Sequence, residues 1–205
     1  MSYRQAAYDE WPRTGIPRLF ANELEYQRYV QTLMRARAIS DESYIWWSIR
    51  PSSRYPTIEL RITDACPRAI DAACIAELFR VAIVQECLHI ARGDTVRLHD
   101  GLERLLIEEN RWRAKRFGVR AKWLDTDSGL NIDLSECLVR LSRHCATAVG
   151  ELRADWAFDH ARRMISEGSS ADRQRRIVGE ARAAGMTTTR ALRRVVDALA
   201  QETRG

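Results

Sequence analysis

The sequence predicts an α+β fold, with a short antiparallel β element followed by a mainly helical region. Three observations predict it. Residues 44–50 and 57–63 are rich in Trp, Tyr, Ile and Thr, and "PSSRYP" separates them. From Pro67 onward, apolar residues recur at helical spacing between glycine breaks. The chain has 205 residues and is 45% hydrophobic, which suits one domain with a real core.

The elements follow in order. "WPRTGIPRLF" carries Pro12, Gly15 and Pro17, and reads as a loop or extended entry. Asn22 is a candidate cap for a helix through residue 37, with Leu24, Val30, Leu33 and Met34 on its apolar side. The two strands come next, and Pro51 and Pro56 are expected to stay out of both ladders. Two strands alone make no independently stable sheet, so their edges are expected to be open to a partner or to self-association. Pro67 suits a first helical turn. A long helix is expected to end near Gly93, followed by helices over 98–117, 132–147, 149–166, 171–184 and 188–202. The expected organisation is one domain. Residues 1–66 hold the entry loop, the first helix and the strands, and 67–205 form the helical region.

Composition excludes some classes. No segment approaches 18 uninterrupted apolar residues, so no membrane helix is expected, and the first residues hold no apolar signal core. The five cysteines are odd in number and form no CxxC pair, which fits reduced thiols and a cytoplasmic protein. The net charge is +5: residues 1–100 carry 13 basic and 13 acidic side chains, and residues 101–205 carry 20 and 15. A basic surplus attracts polyanions, including nucleic acid and ATP, but acidic residues interleaved with it fit a solvated helix face. His89, His99, His144 and His160 show no ligand spacing and read as surface or packed histidines. Cys66 reads as a small packed residue, and Trp46 and Trp47 as core and site wall.

The strands carry the candidate chemistry. A strand alternates its faces, so Glu59, Arg61 and Thr63 oppose Ile58, Leu60 and Ile62, while Trp46, Ser48 and Arg50 share a face. In one sheet, Arg50, Glu59 and Arg61 line a common polar surface, and Arg54 leans over its rim. Guanidinium groups grip phosphate or carboxylate oxygens, and a carboxylate binds Mg2+. Such a set serves phosphoryl transfer. A solvent-exposed Glu–Arg ladder is the plainer reading of the same residues. In "ENRWRAKRFG", Asn110 and Arg113 share a helix face and read either as site residues or as helix packing. Arg173 and Gln174 lie near a helix start, where either structure or an anion is served.

"SYRQAAYDEWPRTGIPRLF", "WWSIRPSSRYPTIELRITDACPRAIDA", "ENRWRAKRFGVRAKWLD" and "GSSADRQRR", in this order, resemble the type 2 glutamate–cysteine ligase family, also called carboxylate–amine ligases. The resemblance runs over residues 2 to 203 and covers only the C-terminal part of such proteins. It implies a glutamine synthetase-like fold, with ATP and Mg2+ activating the side-chain carboxylate of L-glutamate for attack by an amine such as L-cysteine. By resemblance Glu59 is a magnesium ligand. Arg50, Arg54 and Arg61 bind phosphate or substrate carboxylate, and Asn110 and Arg113 are cofactor-binding. The family's glutamate-rich N-terminal strand, which supplies further metal ligands, has no counterpart here. Three expectations follow: half of a split ligase completed by an N-terminal chain or a homo-oligomer, an inactive relative serving as a binding or regulatory subunit, or a basic helical nucleic-acid module.

Overall fold

The computed structural model describes residues 2–94 and 101–204, and the chain divides into two compact units, Tyr3–Asp64 and Ala65–Gly205 with Met1–Ser2. His99 and the expected helix start at 98 lie outside the described residues. The architecture is mainly helical with two small antiparallel strand pairs, as an α+β fold requires. No helix of the described residues is long and apolar enough to cross a membrane.

The first unit holds α1 (Tyr3–Tyr8), α2 (Glu23–Arg35), a single 3-10 turn (Glu42–Tyr44), β1 (Ile49–Pro51) and β2 (Ile58–Leu60). Asn22 caps α2 by accepting from the Glu25 N–H at 3.0 Å. Val30, Ile39, Ile45 and Trp47 are buried together, with Phe20, Tyr26, Tyr29 and Leu33 packed against them. Tyr29 stacks on Trp47 at 6.0 Å.

The strands are shorter than the sequence predicts, and both ends have a cause. Asp41 caps the 3-10 turn by accepting from the Ser43 N–H at 2.7 Å, which diverts residues 42–44 from strand. Beyond Leu60, the N–H groups of Arg61 and Ile62 both donate to the Ser48 carbonyl, a bulge that ends the ladder. Pro51 is nevertheless a ladder residue, paired with Ile58. Ser52 donates to Thr57, and Arg61 to Ser48, so strand alternation puts Pro51 where no N–H is needed. Ile58, on the face it shares with Pro51 and opposite that of Glu59, is 47% exposed.

The second unit holds α3 (Ala69–Arg92), α4 (Gly101–Phe117), β3 (Lys122–Leu124), β4 (Asn131–Asp133), α5 (Leu134–His144), α6 (Ala146–Leu152), α7 (Asp155–Glu167), α8 (Ser170–Ala183) and α9 (Thr188–Arg204). Gly93, at φ 76°, closes α3 with the left-handed turn that glycine tolerates best. The core gathers Cys74 and Val81 of α3, Leu138 of α5, Ala148 and Val149 of α6, and Phe158 and Ala161 of α7.

Two departures from the expected helices stand out. The hairpin β3–β4, whose second strand is Asn131–Asp133, takes residues 132 and 133 out of the helix expected at 132–147. The helix expected over 149–166 is two. Arg153 adopts φ 52°, and the Ala154 N–H returns to the Val149 carbonyl at 3.0 Å, which terminates α6. Ala154 itself is fully buried.

The segment "GSSADRQRR" is accounted for by local chemistry. Ser169 and Asp172 form a capping box at the start of α8, with the Ser169 N–H donating to Asp172 at 2.9 Å. Burial pushes the Asp172 carboxyl up, but the Ser169 bonds and Arg175 outweigh it and hold the group below its usual range. Gly168 has φ +93°, and a Cβ there would lie 2.9 Å from the Asp172 Cβ. Gly168→Ala is therefore expected to cost about 1–3 kcal/mol in urea unfolding, the scale of a strained backbone residue; an unchanged midpoint would contradict this.

Candidate active site

The register of β1 and β2 decides the geometry. Arg50 is directly opposite Glu59, and the two side chains meet at 2.9 Å, Arg50 Nε to Glu59 Oε2. Arg61, two residues along the same face, brings Nη1 within 3.6 Å of that same oxygen. Three of the four strand-region residues singled out in the sequence thus meet on one carboxylate oxygen.

Their circumstances differ. Arg50 is buried, and its Nη1 donates to the carbonyls of Ser43 at 2.7 Å and Ile45 at 2.6 Å, with Glu42 at 3.5 Å. It ties the 3-10 turn to β1 and fixes Glu59. Arg61 is partly exposed, yet its Nε is buried and has no hydrogen-bond partner among the described residues. A buried donor without a partner is costly, and a turn of the Arg61 side chain would bring it to an incoming oxygen. Glu59 keeps 36% of its side chain exposed, and both arginine contacts fall on Oε2.

Arg54 sits in the exposed connection, where Ser52 Oγ accepts from the N–H groups of Arg54 and Tyr55, each at 3.3 Å. Hydrogen bonds from Ser43 hold the Asp41 carboxyl below its usual range, with smaller contributions from the charges of Arg54 and Arg50. Sequence reasoning missed the bracing from α1. Arg4 donates to the Thr63 carbonyl at 2.7 Å, and Gln5 to the Ile62 carbonyl at 2.6 Å. Both residues lie in "SYRQAAYDEW", so the signal was present, but nothing local links them to residues 62 and 63.

Glu59 offers a hard oxygen donor, which suits Mg2+. Among the described residues it belongs to no group of three metal-capable side chains. One carboxylate supplies one of the roughly six oxygens that Mg2+ takes. The fit is therefore to an ion that draws its other ligands from phosphate, water or another polypeptide.

Asn110 and Arg113 belong to the other unit, on α4. Asn110 is buried and grips one residue from both sides: Nδ2 donates to the Leu124 carbonyl, and Oδ1 accepts from the Leu124 N–H, each at 2.7 Å. Arg113 donates to Glu109 at 2.7 Å, the Lys122 carbonyl at 3.1 Å and Asn131 at 2.7 Å. Together they clasp the β3–β4 hairpin to α4.

Arg173 and Gln174 also have partners within the helical unit. Arg173 makes a fork with Glu202, two contacts of 3.0 Å, and lies 3.7 Å from Asp71. Gln174 donates to Ser170 at 3.1 Å. Asp71 in turn accepts from His160 Nε2 at 2.8 Å, because His160 Nδ1 faces the donor Arg163 at 3.2 Å. None of the five cysteines, all of them described, is in a disulfide. Burial, aided by the Asp71 charge, pushes the Cys74 thiol up to about 11, which leaves it inert at neutral pH.

Comparison with known proteins identifies the family. The family model described as glutamate–cysteine ligase family 2 matches residues 1–198. A protein of Ectopseudomonas mendocina named "Putative glutamate--cysteine ligase 2" is 45% identical over 205 residues, covering 99% of this chain and 53% of that protein. Proteins of the same name from Rhodospirillum rubrum and Pseudomonas paraeruginosa are 41% and 39% identical, covering 98% of this chain and 51% of theirs in both cases. The chain spans about half the length of these curated relatives. With one family model running from its first residue to residue 198, the chain belongs to glutamate–cysteine ligase family 2.

Proposed function

We propose that this chain supplies the Glu59–Arg61 face of an ATP- and Mg2+-dependent carboxylate–amine ligase, and that the part of its relatives which it does not span corresponds to the rest of the site. The observation that carries the reading is the meeting of Arg50 and Arg61 on Glu59, with the Arg61 Nε left without a partner among the described residues. Glutamate–cysteine ligase is the activity in the relatives' name, so L-glutamate and an amine such as L-cysteine are the proposed substrates. The glutamate side-chain carboxylate attacks the terminal phosphorus of ATP, giving an acyl phosphate and ADP. The amine then attacks the acyl carbon, releasing phosphate and forming the amide.

In this reading Glu59 holds Mg2+, whose charge offsets that of the phosphates. Arg61 binds a phosphate or carboxylate oxygen and offsets charge that develops during transfer. Arg50 acts through Glu59 by fixing its position. Arg54, on the exposed connection, supplies a further cation at the rim. The proposed location is the cytoplasm, consistent with five cysteines in no disulfide. A nucleic-acid role has less support, because many arginines of the helical unit are already in ion pairs, among them Arg80, Arg113, Arg140, Arg162 and Arg175.

The test mixes this chain with a chain made from the half of the Ectopseudomonas mendocina protein that it does not span. ADP release that requires Mg2+ and glutamate is expected in the mixture and in neither chain alone. Glu59→Ala and Arg61→Ala are each expected to abolish it with helical content intact. Activity that survives both changes would contradict the assignment. A second reading, a nucleotide-binding subunit without catalysis, is favoured by the single carboxylate at the face; it is selected if the mixture binds ATP but releases no ADP.

A further inference from the structure

The helical unit brings together three side chains that the ligase reading does not use. Glu86 and His89 lie one turn apart on α3, and His144 is the last residue of α5. His144 Nε2 is 3.0 Å from Glu86 Oε1, and His89 Nδ1 is 3.8 Å from Glu86 Oε2. The three ligand atoms all lie within 4.8 Å of one another. Ligands on a tetrahedral zinc ion are about 3.4 Å apart, so modest side-chain rotation closes the set. Glu86 and His144 are about half exposed and free to make it.

We infer that Glu86, His89 and His144 form a surface site for a divalent transition-metal ion of the zinc class, joining α3 to α5. Two imidazoles and one carboxylate select such ions over Mg2+ or Ca2+, which take oxygen ligands. Three protein ligands leave at least one position for water.

Gln85 sets the tautomer of His89. It is buried, and its Oε1 accepts from the Ala148 N–H in the first turn of α6 at 3.2 Å. That fixes the amide, so its Nε2 donates to His89 Nε2 at 2.8 Å. Without metal, His89 therefore carries its proton on Nδ1, beside Glu86. Binding at Nδ1 requires the other tautomer, with the proton on Nε2. The Gln85 amide must then turn its oxygen to that proton and release the Ala148 N–H. A carboxylate at position 85 would accept from both at once, as in carboxylate–histidine–zinc arrangements.

The experiment titrates the full chain, in a Cys87→Ser background that removes the exposed thiol, with Co2+ followed by visible absorption and then displaced by Zn2+. Saturable binding of one ion per chain is expected. Glu86→Gln and His144→Ala should each weaken it by at least the roughly 10–100-fold that loss of an outer partner costs. Gln85→Glu should tighten it by about tenfold. No saturable binding, or binding that Glu86→Gln and His144→Ala leave unchanged, overturns the site. Weaker binding by a folded Gln85→Glu variant removes His89 from the ligand set and overturns the three-ligand arrangement.

Discussion

Arg173→Ala is expected to remove about 3–5 kcal/mol of unfolding free energy, the cost of stripping one partner from a buried charged cluster. Arg173 is 11% exposed and lies between two carboxylates, Glu202 at 3.0 Å and Asp71 at 3.7 Å. Its loss leaves Glu202 with Arg68 at 3.9 Å and Asp71 with His160. The cluster spans α3, α7, α8 and α9, so the damage is not local. For a chain of this size the midpoint of thermal unfolding should fall by about 6–20 °C. Arg173→Lys keeps the charge but not the fork, and should fall in between. A loss below about 1 kcal/mol for the alanine variant would mean that the cluster is solvated in solution and that its short distances carry no stability.

Arg50→Ala should be comparably damaging, for a different reason. The guanidinium is the donor to the Ser43 and Ile45 carbonyls and to Glu59. Removing it leaves those acceptors without it, at about 1–3 kcal/mol each where water cannot reach them. An expected total of about 3–5 kcal/mol follows. Arg50→Lys should rescue little, since one ammonium cannot span acceptors on two sides. The comparison with Arg61→Ala separates holding from binding. Arg61 is partly exposed and has a buried Nε with no partner among the described residues, so its loss should change stability by less than about 1 kcal/mol. Equal destabilisation by the two variants, measured in urea, would contradict the division of roles.

The polar face of the hairpin was legible because strand alternation is a local rule. Knowing that 57–63 is extended is enough to put Glu59 and Arg61 together, but the register that sets Arg50 opposite Glu59 has Pro51 in the ladder, where the sequence reading did not put it. Arg50 shows the limit of that logic. Its position was readable, but its burial was not, because the carbonyls that hold it belong to a 3-10 turn set by Asp41 and Ser43. The β3–β4 hairpin was missed because three-residue strands in "KWLDTDSGLNID" carry too little pattern. Asn110 and Arg113, up to 18 residues away, help to hold it. The break at Arg153 was hidden because arginine, not glycine, takes the left-handed turn. Contacts such as Asp71–His160, 89 residues apart, and Glu86–His144, 58 apart, leave no mark in spacing.

The most direct measurement is calorimetric titration of the chain with ATP, with and without Mg2+, for the natural sequence and for Glu59→Gln. Binding that strengthens at least about tenfold with Mg2+, and loses that gain in Glu59→Gln while the far-UV circular dichroism stays unchanged, is the expected result. ATP affinity that is indifferent to Mg2+, or a Mg2+ effect that persists in Glu59→Gln, would contradict a nucleotide-bound metal on the Glu59 face.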